Sequence, residues 1–74
     1  MRLAMAWTRV TSSNLKRVSY NSQSHEMLIQ FQSGAVYQYW DVPNNVSRGL
    51  VQADSPGKYF NGNIRDRYIY KRVI

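Results

Sequence analysis

The sequence predicts an α+β fold, in which a small antiparallel sheet of three to four strands has one main helix packed on one face. The predicted order along the chain is β-β-β-α-β. Two stretches alternate as strands do, over 27–32 and over 67–74. Between them, apolar residues recur with helical spacing after residue 42. A sheet of this kind buries its apolar face under the helix.

The amino-terminal half predicts three strands joined by turns. A polar turn at 11–14 precedes a β-rich run over 15–20, and a second polar cluster precedes the alternating strand over 27–32. Ser33–Gly34 indicates a hairpin, from which 35–40 returns as the partner strand.

The length of the hairpin loop decides which face of the sheet carries two tyrosines. A two-residue loop pairs Phe31 with Val36 and sets the tyrosines on the face away from the core. A three-residue loop with a left-handed Gly34 pairs Phe31 with Ala35 and sets them among the core residues. These residues form either an exposed stacking platform or part of the core: Tyr37 and Tyr39.

A helix is predicted after Val42–Pro43, because proline is favoured at the first helical position. Val46, Leu50 and Ala53 then form one apolar stripe, and Gly49 beside it permits close approach to the sheet. Ser55 with Pro56 indicates a cap and a second, short helical turn that carries Tyr59.

The net charge of +6 is concentrated in the two ends of the chain. Residues 1–20 hold four cations and no acid, and residues 55–74 hold five cations and one acid. Residues 21–54 hold one cation and three acids. The two basic ends would form one surface if the terminal strands were neighbours, and such a patch attracts nucleic acid or another polyanion.

The turn that begins at Ser55 is the best candidate anion site, because a helix amino terminus offers free N–H groups and Gly57 lets a phosphate approach. An ordinary serine cap is the alternative interpretation. The candidate nucleic-acid or anion-binding residues are Ser55, Gly57, Lys58, Asn61, Arg65, Arg67, Arg17 and Lys71. The candidate aromatic platform or core residues are Tyr37, Tyr39 and Tyr59.

Enzymatic chemistry is not expected. His25 is the one histidine and cysteine is absent, so neither a metal site nor a Ser-His-Asp triad is in prospect. The Ser55-x-x-Lys58 pattern lacks the companion motifs of penicillin-recognising enzymes. We therefore expect no catalytic residue, no cofactor and no metal.

Several motifs in order resemble the KTSC domain family. They are 12–15, Tyr20–Asn21, Phe31 with Gly34, 37–39, Val42–Pro43, 53–61 and Ile64–Arg65. This family takes its name from the carboxy-terminal extension of some lysyl-tRNA synthetases and also occurs as small bacterial and phage proteins. The resemblance implies a single domain over 11–74, with 1–10 as an extension or edge strand. It also implies a candidate RNA-binding protein with no established activity. Ser19 departs from the family pattern, which has glycine there.

Three functions remain open. The first is a module that binds RNA or single strands, and the second is a binder of a small anionic nucleotide. The third is a protein-interaction or inhibitor module with an apolar surface patch that a partner, or a second copy of the chain, would cover. A cysteine-free chain suggests a reducing compartment, the cytoplasm. Since no apolar stretch approaches ~20 residues, no membrane is expected.

Overall fold

The computed structural model describes residues 6–74, which form five strands and two helices. The elements are β1 (Thr8–Arg9), β2 (Leu15–Asn21), β3 (Glu26–Phe31), β4 (Val36–Tyr39), α1 (Asn44–Gln52), α2 (Pro56–Asn63) and β5 (Tyr70–Arg72). The predicted α+β class is confirmed. The sheet has more strands than the three to four expected, because the short stretch Thr8–Arg9 pairs with β2.

The five strands form one antiparallel sheet in the order β1-β2-β3-β4-β5. Each strand therefore pairs with the next strand along the chain. Both helices lie in the connection between β4 and β5. The terminal strands are not neighbours, since β1 and β5 are the opposite edges of the sheet, so the condition under which the two basic ends would form one surface is not met. Within residues 6–74, the cations of the two strands at the sheet edges are therefore separated by the strands between them.

The β3–β4 hairpin has the three-residue loop. The Phe31 N–H donates to the Ala35 carbonyl oxygen (2.9 Å), and Gly34 is left-handed with φ of 97°. This register sets Tyr37 opposite Ile29 and Tyr39 opposite Met27. Both tyrosines thus lie on the face of the sheet that carries the core.

A bulge in β2 corrects the alternation of that strand. Leu15 and Val18 are both buried, although they are three residues apart. The pairing with β3 shifts between Leu15 and Arg17, which leaves Lys16 as the extra residue. Lys16 and Arg17 therefore lie together between two core positions.

Each helix begins close to a proline. Pro43 is the N-cap of α1 and does not occupy the first helical position. Ala53, the last residue of the predicted apolar stripe, is the C-cap and lies just beyond the helix. Leu50 is buried and Val46 is half-buried, as the stripe predicts. In α2, Ser55 caps the helix and Pro56 begins it, but the helix has eight residues and is longer than the turn expected.

The core lies between the sheet and the two helices. The buried apolar cluster consists of Leu15, Val18, Met27, Ile29, Tyr39, Val42, Leu50, Phe60 and Ile64. Gly49 approaches the ring of Tyr59 in α2, where a Cβ atom would overlap the phenol, so its close contact is with a helix and not with the sheet. Within residues 6–74, no helix is long and apolar enough to cross a membrane.

The two faces of the sheet differ in composition. We call the face that carries the core the inner face. The other, the outer face, carries the side chains that alternate with the core residues: Arg17, Ser19, Leu28, Gln30, Gln38 and Lys71.

Candidate functional site

An open groove lies on the inner face beyond the buried core. It has a volume of about 620 Å³ and is bounded by the β3–β4 hairpin, β4, β5 and the carboxy-terminal half of α2. The groove-lining residues are Asn14, Phe31, Ser33, Ala35, Tyr37, Tyr39, Phe60, Asn61, Arg65, Asp66, Tyr70 and Arg72. A volume of this size is within the range of small-molecule sites.

Aromatic rings form the floor of this groove. Phe31 meets Tyr37 edge-on with ring centroids 5.6 Å apart, and it meets Phe60 at 5.4 Å. Tyr70 lies 5.9 Å from Tyr37 and 5.7 Å from Tyr39. Such contacts stabilise one arrangement of the rings, so the floor is preorganised. Tyr70 is 51% exposed and is the most exposed aromatic residue of the groove.

The β4–β5 register brings the polar groups to the same groove. Tyr37 lies opposite Arg72, and Tyr39 lies opposite Tyr70, so all four side chains point to the inner face. Arg72 Nε donates to the Ile74 carbonyl oxygen (2.8 Å), which holds the guanidinium beside the aromatic floor.

The turn after α2 supplies a second arginine and one acid. The Arg65 N–H donates to the Phe60 carbonyl oxygen (2.9 Å), and Asp66 adopts a left-handed conformation with φ of 61°. Arg65 and Asp66 line the groove, whereas Arg67 is exposed and lies outside it.

The pKa of the Tyr39 hydroxyl is shifted by its surroundings at the base of the groove. Burial is the main cause that raises the pKa of Tyr39 from 10.0 to about 12, and the Tyr37 and Tyr70 hydroxyls add to it. The Arg65 charge lowers this pKa and the Asp66 charge raises it. The phenol is therefore neutral at physiological pH, and it can donate as well as accept a hydrogen bond.

The predicted anion site at the start of α2 forms a separate, polar cleft of about 580 Å³. Ser55 Oγ accepts a hydrogen bond from the Lys58 N–H (3.4 Å), as an ordinary cap does. Gly57 lies beside Ser12, whose hydroxyl already accepts from two backbone N–H groups. The cleft also contains the Asp54 side chain, which opposes an anion.

Apart from Arg67, the sequence-predicted residues are therefore divided among four places. Ser55, Gly57 and Lys58 line the cleft, Arg65 and Tyr37 line the groove, and Asn61 lines both. Arg17 and Lys71 lie on the outer face of the sheet, near opposite edges. Tyr39 is buried at the base of the groove, and Tyr59 packs against the core and Gly49.

Sequence reasoning missed eight of the groove-lining residues, among them three aromatic rings and one arginine: Phe31, Phe60, Tyr70 and Arg72. The alternation of the last strand sets Tyr70 and Arg72 on one face, and this signal was sufficient to group them. Their position beside Tyr37 depends on the pairing of β4 with β5, which follows no local pattern.

No catalytic arrangement is indicated. His25 occupies an exposed turn with φ of 61°. Across residues 6–74 no cluster of three or more histidine, cysteine or acidic side chains could hold a metal ion.

Comparison with known proteins identifies relatives over nearly the whole chain. The chain is 31% identical over 71 residues to a lysine–tRNA ligase of Nostoc punctiforme, and the match covers 96% of this chain but 13% of the ligase. It is 36% identical over 63 residues to an uncharacterised protein of Stutzerimonas stutzeri, covering 84% of this chain and 89% of that protein. It thus spans a small part of the ligase and nearly all of the smaller relative.

A solved structure and a family model agree with these relatives. The crystal structure of a KTSC domain protein from Yersinia pestis superimposes with a TM-score of 0.91 at 28% identity, over 96% of this chain and all of that one. The model of the KTSC domain matches residues 11–68. The resemblance read from the sequence motifs is confirmed, and the chain belongs to the KTSC domain family.

Proposed function

We propose that this KTSC domain is a non-catalytic nucleic-acid-binding module that holds unpaired nucleotides of RNA or single-stranded DNA in the aromatic groove. The observation that carries the proposal is the combination of an aromatic floor with Arg65 and Arg72 at its rim.

The aromatic floor suits unpaired bases. A base has two π faces, and stacking one on an aromatic side chain is worth about 1–3 kcal/mol with little dependence on sequence. Tyr70 is half-exposed, and its contacts with Tyr37 and Tyr39 fix its ring. A base in a duplex is already stacked on both sides, so the groove favours single strands.

The two arginines suit the phosphates that flank a stacked base. Guanidinium groups bind phosphate oxygens with two parallel hydrogen bonds. Within residues 6–74, Arg72 is held through Nε by the Ile74 main-chain oxygen, which leaves its terminal amino groups for a ligand. The groove contains one acid, Asp66, against these two cations.

The relatives are compatible with this function. Three lysine–tRNA ligases match the chain over 71 residues each. A protein of that name acts on tRNA, and an appended domain with a basic aromatic groove would contribute contacts to an RNA strand.

Binding of labelled single-stranded oligouridylate, followed by fluorescence anisotropy at low salt, tests the proposal. Tyr70→Ala removes the exposed ring, so we expect a loss of affinity of roughly five-fold to more than one hundred-fold, the range that ~1–3 kcal/mol implies. Tyr70→Phe keeps the ring and retains most of the affinity. Arg67→Ala removes an equal charge two residues from Arg65 but outside the groove, and it serves as the matched control.

Absence of any binding by the wild type at low salt would refute the proposal. Equal losses for Arg65→Ala and Arg67→Ala would show that net charge, and not the groove, determines affinity.

A small anionic nucleotide is the second candidate ligand, and the size of the groove favours it. Thermal-shift measurements with a panel of mononucleotides separate the two functions. A nucleotide-binding protein gains stability with a monomeric ligand, whereas a strand-binding module requires several linked phosphates for measurable affinity.

A further inference from the structure

A stacked arginine lies on the outer face of the sheet, at the edge remote from the groove. The guanidinium carbon of Arg17 in β2 is 4.3 Å from the ring centroid of Trp7, which precedes β1. Trp7 is 36% exposed, so the pair is accessible to a ligand. A guanidinium on an indole ring is a favourable cation–π contact.

A hydrogen bond fixes this guanidinium further. Arg17 Nε donates to Gln30 Oε1 (2.6 Å), and Gln30 Nε2 donates to the Gly34 carbonyl oxygen (3.4 Å). The bond to Gln30 uses Nε of Arg17. Within residues 6–74, the terminal amino groups of Arg17 therefore remain for a partner. Because the side chain is ordered before a ligand arrives, binding loses little conformational entropy.

A second arginine lies directly across the strand pair. Arg9 of β1 is the register partner of Arg17, so their side chains share the outer face. Like charges at directly opposite positions destabilise a sheet. The β2 bulge adds Lys16 beside Arg17. The sheet edge therefore concentrates positive charge at a free-energy cost that a bound anion would offset.

We propose that Arg9, Arg17 and Trp7 form a second binding site, which takes a phosphodiester group of a nucleic-acid strand with its neighbouring base against the indole. This inference rests on the proposed function for its ligand, but it concerns another surface. Two arginines supply bidentate donors for phosphate oxygens, and the exposed indole supplies a stacking surface.

The two sites lie too far apart for one nucleotide to contact both. β1 and β5 are the edges of a five-stranded sheet. Three to four interstrand spacings of about 4.8 Å separate Arg17 in β2 and Arg9 in β1 from the groove residues of β5 by roughly 14–19 Å, and the two sites also occupy opposite faces of the sheet. A strand of several nucleotides can engage both, and its affinity then exceeds that of either site alone.

Tryptophan fluorescence tests this site directly in the full chain. The chain has two tryptophans, so Trp40→Phe leaves Trp7 as the single reporter. We expect single-stranded oligouridylate to change Trp7 emission in a saturable way. In the same background, Arg17→Ala lowers affinity several-fold and reduces the slope of log K against log salt by about 0.7, the value for one contact with a single strand. Arg48→Ala, an equal loss of charge on the exposed face of α1, leaves both values unchanged.

Conservative variants separate a binding role from a merely structural one. Arg17→Lys keeps the charge but loses the bidentate fork, so it lowers affinity less than Arg17→Ala. Arg9→Ala removes the other donor without breaking the Arg17–Gln30 bond, and it gives a second measurement if Arg17→Ala fails to fold by circular dichroism.

The outcomes distinguish this site from the groove. If Tyr70→Ala and Arg72→Ala abolish binding while Arg9 and Arg17 variants bind as the wild type does, the groove stands and the second site is overturned. If Arg9 and Arg17 variants lose affinity while the groove variants do not, the second site stands and the proposed function of the groove is wrong. Unchanged Trp7 emission at saturating strand also overturns the second site.

Discussion

The phenol ring of Tyr59 occupies the space in which a side chain at Gly49 would lie. This contact joins α1 to α2 and fixes the distance between the two helices. It also explains why a residue with poor helix propensity stands inside α1.

Replacement of Gly49 by alanine is therefore expected to destabilise the protein. The new methyl group displaces Tyr59, and overpacking of this kind costs about 1–3 kcal/mol, which exceeds the gain of about 1 kcal/mol in helix propensity. Gly62→Ala in α2 is the matched control, because nothing lies within 4 Å of its Cβ position. Urea unfolding measures both variants, and a rise in stability for Gly49→Ala would contradict the contact.

The hydroxyl of Ser19 is expected to lower the stability of the wild-type protein. This oxygen is buried on the outer face of β2 and has no hydrogen-bond partner within residues 6–74. Ser19→Ala removes the unsatisfied oxygen and is expected to raise the free energy of unfolding by about 1 kcal/mol. Ser19→Gly removes the same oxygen but weakens the strand, so it gains less. Thermal or urea unfolding of the three proteins gives the order, and loss of stability in Ser19→Ala would show that the hydroxyl has a partner.

Gly34 is required by the hairpin loop. Its φ of 97° lies in the region that residues with a Cβ atom rarely adopt. Gly34→Ala is expected to lower the free energy of unfolding by about 1–2 kcal/mol. Gly34→Asn loses less, since asparagine tolerates left-handed conformations better than alanine does. Equal stability of the alanine variant and the wild type would mean that the loop adopts another geometry.

Stability is expected to fall in alkaline solution because of Tyr39. The folded protein raises the pKa of this phenol to about 12 from 10.0, chiefly through burial. Below pH ~10 the phenol is protonated in both states, and its contribution is complete. Between pH ~10 and ~12 the unfolded state ionises while the folded state does not, so stability decreases by up to about 2–3 kcal/mol.

Tyr39→Phe tests this pH dependence. The variant lacks the ionising group, so the difference in unfolding free energy between wild type and variant changes between pH ~8 and ~11. Other ionising groups cancel in that difference. A constant difference over this range would contradict the raised pKa of Tyr39.

The salt dependence of strand binding should identify which arginines contact phosphates. Arg65→Ala is expected to reduce the slope of log K against log salt by about 0.7, the value for one contact with a single strand. Arg67→Ala retains the full slope, because Arg67 lies outside the groove. Equal slopes for the two variants would remove Arg65 from the binding surface.

The candidate site could be predicted in part. The Ser55 cap and the position of Arg65 after α2 could be predicted from the sequence, because they depend on neighbouring residues. The structure divides residues that were grouped because they are near in sequence. Arg65 lines the groove, whereas Ser55 and Lys58 line a different cleft. The reason is that Ser55 and Lys58 lie at the start of the eight-residue helix α2, and Arg65 follows its end.

The sequence by itself determined the class, most of the strands, the position of both helices and the family, since these follow from alternation, caps, turns and ordered motifs. Tertiary structure decided the hairpin register and with it the face of Tyr37 and Tyr39, because one residue more or less in the loop inverts every side chain of β4. It also decided that β1 and β5 are opposite edges. Strand order arises from long-range pairing, so the basic residues that could have shared one surface lie at separate places in the fold.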